Sequence, residues 1–294
     1  MRDLVTLLFL FLVFNPPALS FANVITEPLV LKDGGTPEQP AIFDGKGRVI
    51  DLGINVSNHS WQKKGDVWQS CSGLLVEHGL EKVMAGQKAG LFVGQTPITI
   101  PRDLEAEKLH PDKNSWCYFA PEKLKPGQMG YSVDGALYFR WPEGVEQGSE
   151  KLILPPKPGV SCVSIACSHI IVRNITAKYA GNDGFNIHGD RKGIRLENVK
   201  AFSNADEGIS AHATVEMVVV GAEVAFNGSA AGGVADVNSS ITSYKDCVVH
   251  DNAGAALYFS GKSHKVTDTL IFNQAKDFSV KKGIEFTKER IRLE

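Results

Sequence analysis

Between about residues 160 and 275, apolar residues come in short alternating runs separated by Asn, Asp and Gly. Phe185 with Ile187, and Ile194 with Leu196, are examples of these runs. A period of two predicts β-strands, and the polar residues between the runs predict tight turns. No stretch of this region keeps the 3.6-residue period that three turns of helix need. The pattern therefore predicts an all-β structure made of short strands.

The runs themselves recur with a period of 24 residues. Asn-Ile-Thr at 174–176 recurs as Asn-Val-Lys at 198–200, and Gly184 recurs as Gly208 and again as Gly232. Strands spaced in this way can pair only with the same strand one coil away, in parallel, which describes a parallel β-helix. Residues one repeat apart then stack about 4.8 Å apart on the same face. We therefore expect a solenoid of about 24 residues per coil, with an asparagine ladder at one turn.

The first half of the chain is less regular. The segment 44–53 predicts a turn and the first strand of the stack. From about residue 91 to 158 the chain is rich in Pro, Gly and aromatic residues, which indicates an irregular inserted β-hairpin region. We expect one β-helix domain over residues 23–294, its first edge covered by residues 23–60 and its last by residues 281–294. Four tryptophans either pack under the insertion or offer a surface to sugar rings: Trp61, Trp68, Trp116 and Trp141.

The first 22 residues have the pattern of a secretory signal peptide. Arg2 precedes an apolar run over 4–14, and a small-x-small cleavage site ends at Ala22. A membrane-spanning helix needs about 20 apolar residues, and this run is roughly half that length. We expect cleavage near Ala22 and a periplasmic or extracellular location, with no membrane span.

Composition narrows the class of protein further. The chain of 294 residues is 43% hydrophobic and 22% charged, which indicates a globular protein. Its 31 basic and 33 acidic side chains give a net charge of −2, so no basic surface is predicted for nucleic acid or an anionic membrane. An oxidising compartment permits one or two disulfides and leaves one thiol over, although Cys162 and Cys167 read as buried thiols on neighbouring strands. The five cysteines are Cys71, Cys117, Cys162, Cys167 and Cys247.

Polar side chains repeat at the coil spacing beside the turns at Gly184 and Gly208. The predicted stacked pairs are His188 with His212, Asn182 with Asp206, and Asp183 with Glu207. Stacking would bring them within about 10 Å of one another. Such a cluster combines two imidazoles, three carboxylates and an amide. Each carboxylate taken alone is typical of a solenoid turn, whereas the two histidines have no turn role.

The polar column has an expected continuation on later coils. At constant spacing Asp236 follows His212. A bulge at Gly232 and Gly233 would shift that coil by one residue and put Val237 there instead. His250 and Tyr258 lie one or two coils further on.

The turns Asn182-Asp183-Gly184 and Asp206-Glu207-Gly208, on 24-residue coils, resemble those of right-handed parallel β-helix proteins of the pectate lyase-like superfamily. This resemblance implies a right-handed helix of three sheets and polysaccharide bound along an outer face. Polygalacturonase-like hydrolases have an Asn-x-Asp turn and an Asp-Asp pair one coil later, but their Gly-His-Gly and Arg-x-Lys segments are missing here. Pectate lyases use Arg-x-Pro-x-x-Arg, of which Arg140-Trp141-Pro142 supplies the first half.

Three functions remain open at this point. The first is a polysaccharide lyase on an acidic, uronic or sulfated polymer, with His188 or His212 as base and Tyr258 as proton donor. Calcium is its one possible cofactor, held by Asp183, Asp206 and Glu207. The second is a glycoside hydrolase in which Asp183 works with Asp206 or Glu207 as acid and base.

The third is a non-catalytic carbohydrate-binding or cell-envelope scaffold. In every case we expect a monomer whose partner is a polysaccharide. The predicted substrate-binding residues are Asn182, Asn186, Arg191, Asp236 and His250.

Overall fold

The computed structural model describes residues 24–78, 88–101, 121–131 and 135–294. It is an all-β parallel solenoid with about 24 residues per coil, as the sequence predicts. The predicted signal peptide lies outside the described residues, as do Trp116 and Cys117. Among the described residues, no helix is long and apolar enough to cross a membrane.

The first part of the chain contains short strands and little helix. Its elements are β1 (Val24–Ile25), β2 (Leu29–Leu31), β3 (Ala41–Asp51), β4 (Ile54–Asn55), β5 (Trp61–Lys64), β6 (Val67–Ser70), α1 (Leu74–Glu77), β7 (Ala89–Val93), β8 (Thr96–Thr99), a 3₁₀ turn (Pro121–Lys123), β9 (Met129–Tyr131), β10 (Leu137–Arg140) and β11 (Leu152–Leu154).

The second part consists of strands alone. They are β12 (Val163–Ile165), β13 (Ile170–Lys178), β14 (Phe185–Ile187), β15 (Ile194–Glu197), β16 (Lys200–Phe202), β17 (Ile209–Ala211), β18 (Glu216–Val220), β19 (Glu223–Ala225), β20 (Gly232–Asp236), β21 (Ile241–Lys245), β22 (Val248–His250), β23 (Ala255–Phe259), β24 (Ser263–Thr267), β25 (Leu270–Phe272), β26 (Lys276–Val280), β27 (Glu285–Glu289) and β28 (Arg292–Leu293).

These strands wind into coils whose equivalent strands pair in parallel. One face is a seven-stranded sheet in the order β2-β12-β14-β17-β20-β23-β26. The other two sides belong to a thirteen-stranded sheet, in which β13 spans both rows and the later coils contribute separate strands. Inward side chains such as Phe185, Ile187 and Ile209 fill the interior and are fully buried. The alternation seen in the sequence is therefore the alternation between this core and the outer face.

Asparagines hold the coils in register at two turns. The Asn198 side chain donates to the Asn174 side chain at 2.9 Å, which confirms the expected ladder. A second ladder, which the repeat did not reveal, is buried: Asn204 donates to Asn227, and Asn227 to Asn252, each at 2.9 Å. The side-chain oxygens of Asn227 and Asn252 also accept hydrogen bonds from backbone N–H groups of the preceding coil. Without these bonds, the backbone N–H groups would be buried without a partner.

The coil length is not constant, and this corrects the predicted register. The spacing is 24 at Asn174–Asn198, 23 at Asn204–Asn227 and 25 at Ala213–Asn238. The turn leading to β20 is longer, so Gly208 stacks on Gly233 rather than Gly232.

Between β3 and β12 the chain leaves the solenoid and forms an antiparallel unit. Its strands run from Ile54 to Leu154, in the four-stranded sheets β5-β6-β10-β9 and β4-β11-β7-β8. It therefore begins well before the predicted start at about residue 91, and it has its own core, which includes Leu91, Phe139 and Trp141. Trp61, Trp68 and Trp141 form ring contacts within this unit, which favours the packing interpretation for these three. We call residues 54–154 the insertion.

The first and last described strands belong to coils rather than to separate caps. β1 and β2 pair with β3 and β12, and β27 and β28 pair with β24 and β25. Cys71, Cys162, Cys167 and Cys247 are free thiols, as the buried-thiol interpretation of Cys162 and Cys167 predicts.

Candidate functional site

Three carboxyl groups meet where two successive coils turn into the seven-stranded sheet. Asp183 precedes β14, while Asp206 and Glu207 precede β17. A ligand oxygen from each lies within 4.8 Å of the others. Gly184 permits this approach, because a Cβ atom there would lie 2.7 Å from both the Gly208 carbonyl oxygen and the Asn204 side chain. The predicted clustering of these three residues is therefore present, and we call it the carboxyl cluster.

Asp183 is the most enclosed member of the cluster, with 2% of its surface exposed. Its Oδ2 atom accepts hydrogen bonds from Ser210 Oγ at 2.6 Å, Asn186 Nδ2 at 2.7 Å and Asn182 Nδ2 at 3.1 Å. Its Oδ1 atom is also buried, and no described residue donates a hydrogen bond to it. The Oδ2 atom of this carboxylate is thus fully hydrogen-bonded, whereas the Oδ1 atom lacks a donor.

The neighbouring Glu207 side chain favours its protonated form. Burial raises the pKa of Glu207 well above its ordinary range, and the charges of Asp183 and Asp206 raise it further. Burial also raises the pKa of Asp183, where a hydrogen bond from Glu207 acts in the opposite direction. Ser229 Oγ fixes the other side of Glu207 by donating to its Oε1 atom at 2.7 Å. Burial and the neighbouring negative charges thus favour the protonated form of both carboxyl groups.

The insertion contributes a cation to the same place. The Lys88 ammonium group forms an ion pair with Asp206 and lies 3.5 Å from the Asn182 side-chain oxygen. Burial lowers the pKa of Lys88, but Asp206, Glu207 and Asp183 together raise it above its ordinary value. Sequence reasoning missed Lys88, because it lies outside the repeats and only the folding of the insertion brings it here. Ser210 and Ser229 were missed as well, although Ser210 lies 24 residues after Asn186 in the repeat.

The two predicted histidines do stack on each other. His188 follows β14 and His212 follows β17, and their ring centroids are 5.6 Å apart at an interplanar angle of 29°. Burial lowers the pKa of His212, and the proximity of His188 lowers it further, although Asp183 opposes both effects. His212 is therefore a neutral imidazole near pH 7, and His188 is exposed to solvent.

Tyr258 lies on the same outer face as the carboxyl cluster. The side chains of Asn186, Ser210, Ala235 and Tyr258 occupy equivalent positions on successive strands β14, β17, β20 and β23. Tyr258 is thus two strands beyond Ser210, or about 10 Å along the solenoid axis. We call this line of residues the outer row.

Asp236 does not lie with the histidines, contrary to the constant-spacing prediction. The longer turn pairs Asp236 with Ala211, so that it is Val237 that follows His212 in the column. Asp236 points into the coil, where it is fully buried and accepts hydrogen bonds from Thr242 at 2.6 Å and Tyr244 at 2.9 Å. The bulge alternative therefore describes this coil, and Asp236 cannot contact an outer-face ligand.

His250 also lies away from the cluster. It is on β22 of the thirteen-stranded sheet, where it stacks on Phe272 with ring centroids 4.5 Å apart. Its Nδ1 atom is 2.6 Å from Asp251, and its Nε2 atom is 3.5 Å from Glu223. Arg191, in contrast, lies near the predicted cluster, because its side chain packs over Gly189 in the turn after His188. Its buried Nε atom has no hydrogen-bond partner among the described residues.

The carboxyl cluster contains the ligand type that Ca²⁺ uses, since one oxygen atom from each of its three carboxyl groups lies within 4.8 Å of the others. Ca²⁺ takes about six to eight oxygen ligands, so the three carboxyl groups would supply only part of its coordination. The Lys88 ammonium group already pairs with Asp206, and an ion bound at Asp206 would have to displace it.

No family model and no curated protein matches the chain. A solved structure described as "Glycoside hydrolase" is 8% identical in sequence, with a TM-score of 0.31, over an alignment that covers 91% of this chain and 87% of that chain.

Proposed function

We propose that this protein is an exported carbohydrate-active enzyme that hydrolyses glycosidic bonds in an acidic polysaccharide. The observation that supports the reaction is the buried Asp183–Glu207 pair, in which both pKa values are raised, beside the Lys88–Asp206 ion pair. Hydrolysis of this kind needs a protonated carboxyl group and an ionised one close together.

In the proposed reaction Glu207 donates its proton to the glycosidic oxygen as the bond between that oxygen and the anomeric carbon breaks. A water molecule attacks the anomeric carbon and loses a proton to Asp183 or Asp206. Lys88 keeps a positive charge beside Asp206 throughout. The half-buried side chains of Asn186 and Tyr258 lie on the outer face along which the polymer would bind. Arg191 and the exposed His188 are the nearby groups that could bind its carboxylates or sulfates.

The test is product analysis after incubation with a panel of uronic and sulfated polysaccharides. We expect new reducing ends without the ultraviolet absorbance of an unsaturated sugar. Glu207→Gln should lower kcat by about 10²–10⁴-fold, because glutamine keeps the hydrogen bonds but cannot transfer a proton. Glu216→Gln is the matched control, since Glu216 is an exposed residue paired with Lys192 at 3.6 Å. Binding without any turnover would instead indicate a scaffold.

A second candidate is a lyase, favoured by the neutral His212 stacked on His188. His212 would remove the proton beside the uronic carboxylate, and Tyr258 would protonate the leaving oxygen. This reaction gives an unsaturated, absorbing product and is lost in His212→Ala. If it also uses calcium, its activity should depend on added Ca²⁺, whereas acid–base hydrolysis should not.

A further inference from the structure

Two histidines and a glutamate meet in the insertion, on residues that the carboxyl cluster does not use. His59 lies in the turn between β4 and β5, Glu77 ends α1, and His78 follows it. One ligand atom from each lies within 4.8 Å of the other two. The His59 Nε2 atom is 3.6 Å from Glu77 Oε1, and the two imidazole centroids are 5.5 Å apart.

The imidazole nitrogens in this group are incompletely satisfied. His59 Nδ1 and His78 Nε2 are both buried, and neither has a hydrogen-bond partner among the residues that the structure describes. A buried polar atom without a partner is unfavourable, and native proteins usually satisfy it with water or an ion. His78 Nε2 is therefore available to a metal ion, and His59 Nε2, 3.6 Å from Glu77 Oε1, is the second nitrogen donor beside the carboxylate.

We propose that His59, Glu77 and His78 bind a divalent transition metal of the Zn²⁺ class. Two imidazoles and one carboxylate match the ligand preference of Zn²⁺, whereas Ca²⁺ prefers oxygen donors alone. The 3.6 Å separation of His59 Nε2 and Glu77 Oε1 is close to the edge of a tetrahedron with bonds of about 2.0–2.1 Å. The Glu77 side chain is 61% exposed, which leaves a path for the ion and room for water as a further ligand.

The bound metal would join the turn after β4 to the end of α1. Strands β5 and β6 separate these two segments along the chain, and α1 is a single turn of helix with few bonds of its own. Leu75 of α1 and Lys88 line the same small cavity beside Ala205 of the solenoid. The metal therefore stabilises the wall of the insertion from which Lys88 reaches the carboxyl cluster.

The experiment uses the metal-free full chain titrated with Zn²⁺ by calorimetry, and with Co²⁺ by visible absorbance. We expect one high-affinity Zn²⁺ per chain, a tetrahedral Co²⁺ spectrum, a higher thermal midpoint with Zn²⁺, and no such response to Ca²⁺. His59→Ala and His78→Ala should each weaken Zn²⁺ binding by more than ~100-fold, since even changes to outer-shell partners cost about 10–100-fold. Glu77→Gln should weaken it less, and acid should weaken it in the wild type, because protons compete for imidazole.

Two controls separate this site from other zinc ligands. His169→Asn should keep full binding; His169 has a φ of 56°, which asparagine tolerates. Glu207→Gln should also keep it, so that failure of the proposed hydrolase and failure of the metal site remain distinguishable. A wild type that takes up no Zn²⁺ overturns the proposal outright. Retention of the same affinity in His59→Ala and His78→Ala, with folding verified by circular dichroism, overturns it equally.

Discussion

Two buried aspartates show how the surroundings of a single residue set its chemistry. Asp183 has carboxylates, a lysine and amides around it, and burial and the charge of Asp206 raise its pKa. Asp236 lies inside the coil with the Thr242 and Tyr244 hydroxyl groups and the Ala211 backbone as hydrogen-bond partners, and burial raises its pKa to about 7 despite these bonds. The first environment gathers several ionisable groups that can exchange protons. The second only adds a pH-dependent cost to folding.

Asp236→Asn should remove this cost. Because the folded pKa of Asp236 is raised, its contribution to stability is complete below the unfolded pKa of 3.8 and is lost as pH rises through about 7. Asparagine can accept the same two hydrogen bonds without a charge. We expect the free energy of unfolding of the variant, relative to wild type, to rise by on the order of 4 kcal/mol between pH 4 and 8.

Urea unfolding at several pH values measures this difference directly. Burial lowers the pKa of the nearby His264 to about 4, so its neutral form stabilises the fold above pH 6.5 and this contribution is lost as pH falls through 4. The comparison must therefore be made between variant and wild type, in which the histidine contribution cancels. A difference that stays constant with pH would mean that Asp236 is ionised throughout.

At the scale of the element, the buried asparagine ladder links turns of three successive coils. Asn227→Ala would leave the backbone N–H and the side-chain amide of Asn204 without their acceptor, and would remove a donor from Asn252. Each buried polar group left without a hydrogen-bond partner costs about 1–3 kcal/mol, so we expect a loss of about 2–5 kcal/mol in the free energy of unfolding.

Denaturant titration checks this value against Asn198→Gly in the exposed ladder. Glycine keeps the left-handed conformation of Asn198, whose φ is 50°, and water replaces its single ladder bond. That variant should lose less than about 1 kcal/mol. Equal losses in the two variants would show that the buried position adds nothing.

Lys88, which directly precedes β7, is the cation that contacts the carboxyl cluster. Lys88→Met keeps the length and apolar stem of the side chain but leaves Asp206 without its ion pair. We expect a loss of about 1–3 kcal/mol in stability and a fall in kcat/KM. Lys192→Met is the control, because its pair with Glu216 is exposed and should contribute within about 0.5 kcal/mol. Unchanged activity in Lys88→Met would remove Lys88 from the mechanism.

At the scale of the whole molecule, two units with separate cores meet at a small contact. Ala89, Phe92, Ile153 and Tyr179 form the apolar part of this junction. The backbone N–H of Ala89 donates to the Ala205 carbonyl oxygen at 2.9 Å, and Tyr179 Oη donates to the Gly94 carbonyl at 3.0 Å. The catalytic proposal depends on this junction, because it delivers Lys88 to the solenoid.

Gly228→Ala tests the junction. A Cβ atom at Gly228 would lie 2.4 Å from the Ala89 Cβ and 2.6 Å from its nitrogen, so β7 must move away. We expect a loss of about 1–3 kcal/mol and reduced activity, with little change in the far-ultraviolet dichroism of the coils. All four tryptophans precede residue 142, so their fluorescence reports on the first half of the chain. It should change at a lower temperature than the dichroism.

Gly47→Asn is the matched control, since nothing lies within 4 Å of a Cβ at that exposed turn and its φ of 76° suits asparagine. Coincident transitions in Gly228→Ala, at the wild-type temperature, would show that the junction tolerates the added methyl group.

The amino-acid sequence alone determined the parallel coils, one asparagine ladder, and the meeting of Asp183, Asp206 and Glu207 beside the stacked histidines. These features depend on local rules: alternation selects strands, polar turn residues end them, and a repeat turns distance along the chain into proximity. The strand and turn rules act within a single coil, and the repeat relates each coil to the next, so all three can be recognised in the sequence.

Only the tertiary structure decided where Asp236 points, which sheet carries His250, and that Lys88 completes the carboxyl cluster. One extra residue in a turn reverses the direction of every following side chain until the register recovers, and turn length is weakly encoded. Lys88 and the His59–Glu77–His78 group depend on contacts between distant segments of the insertion, which has no repeat. Their positions follow from packing of the whole molecule, because no periodicity relates them along the chain.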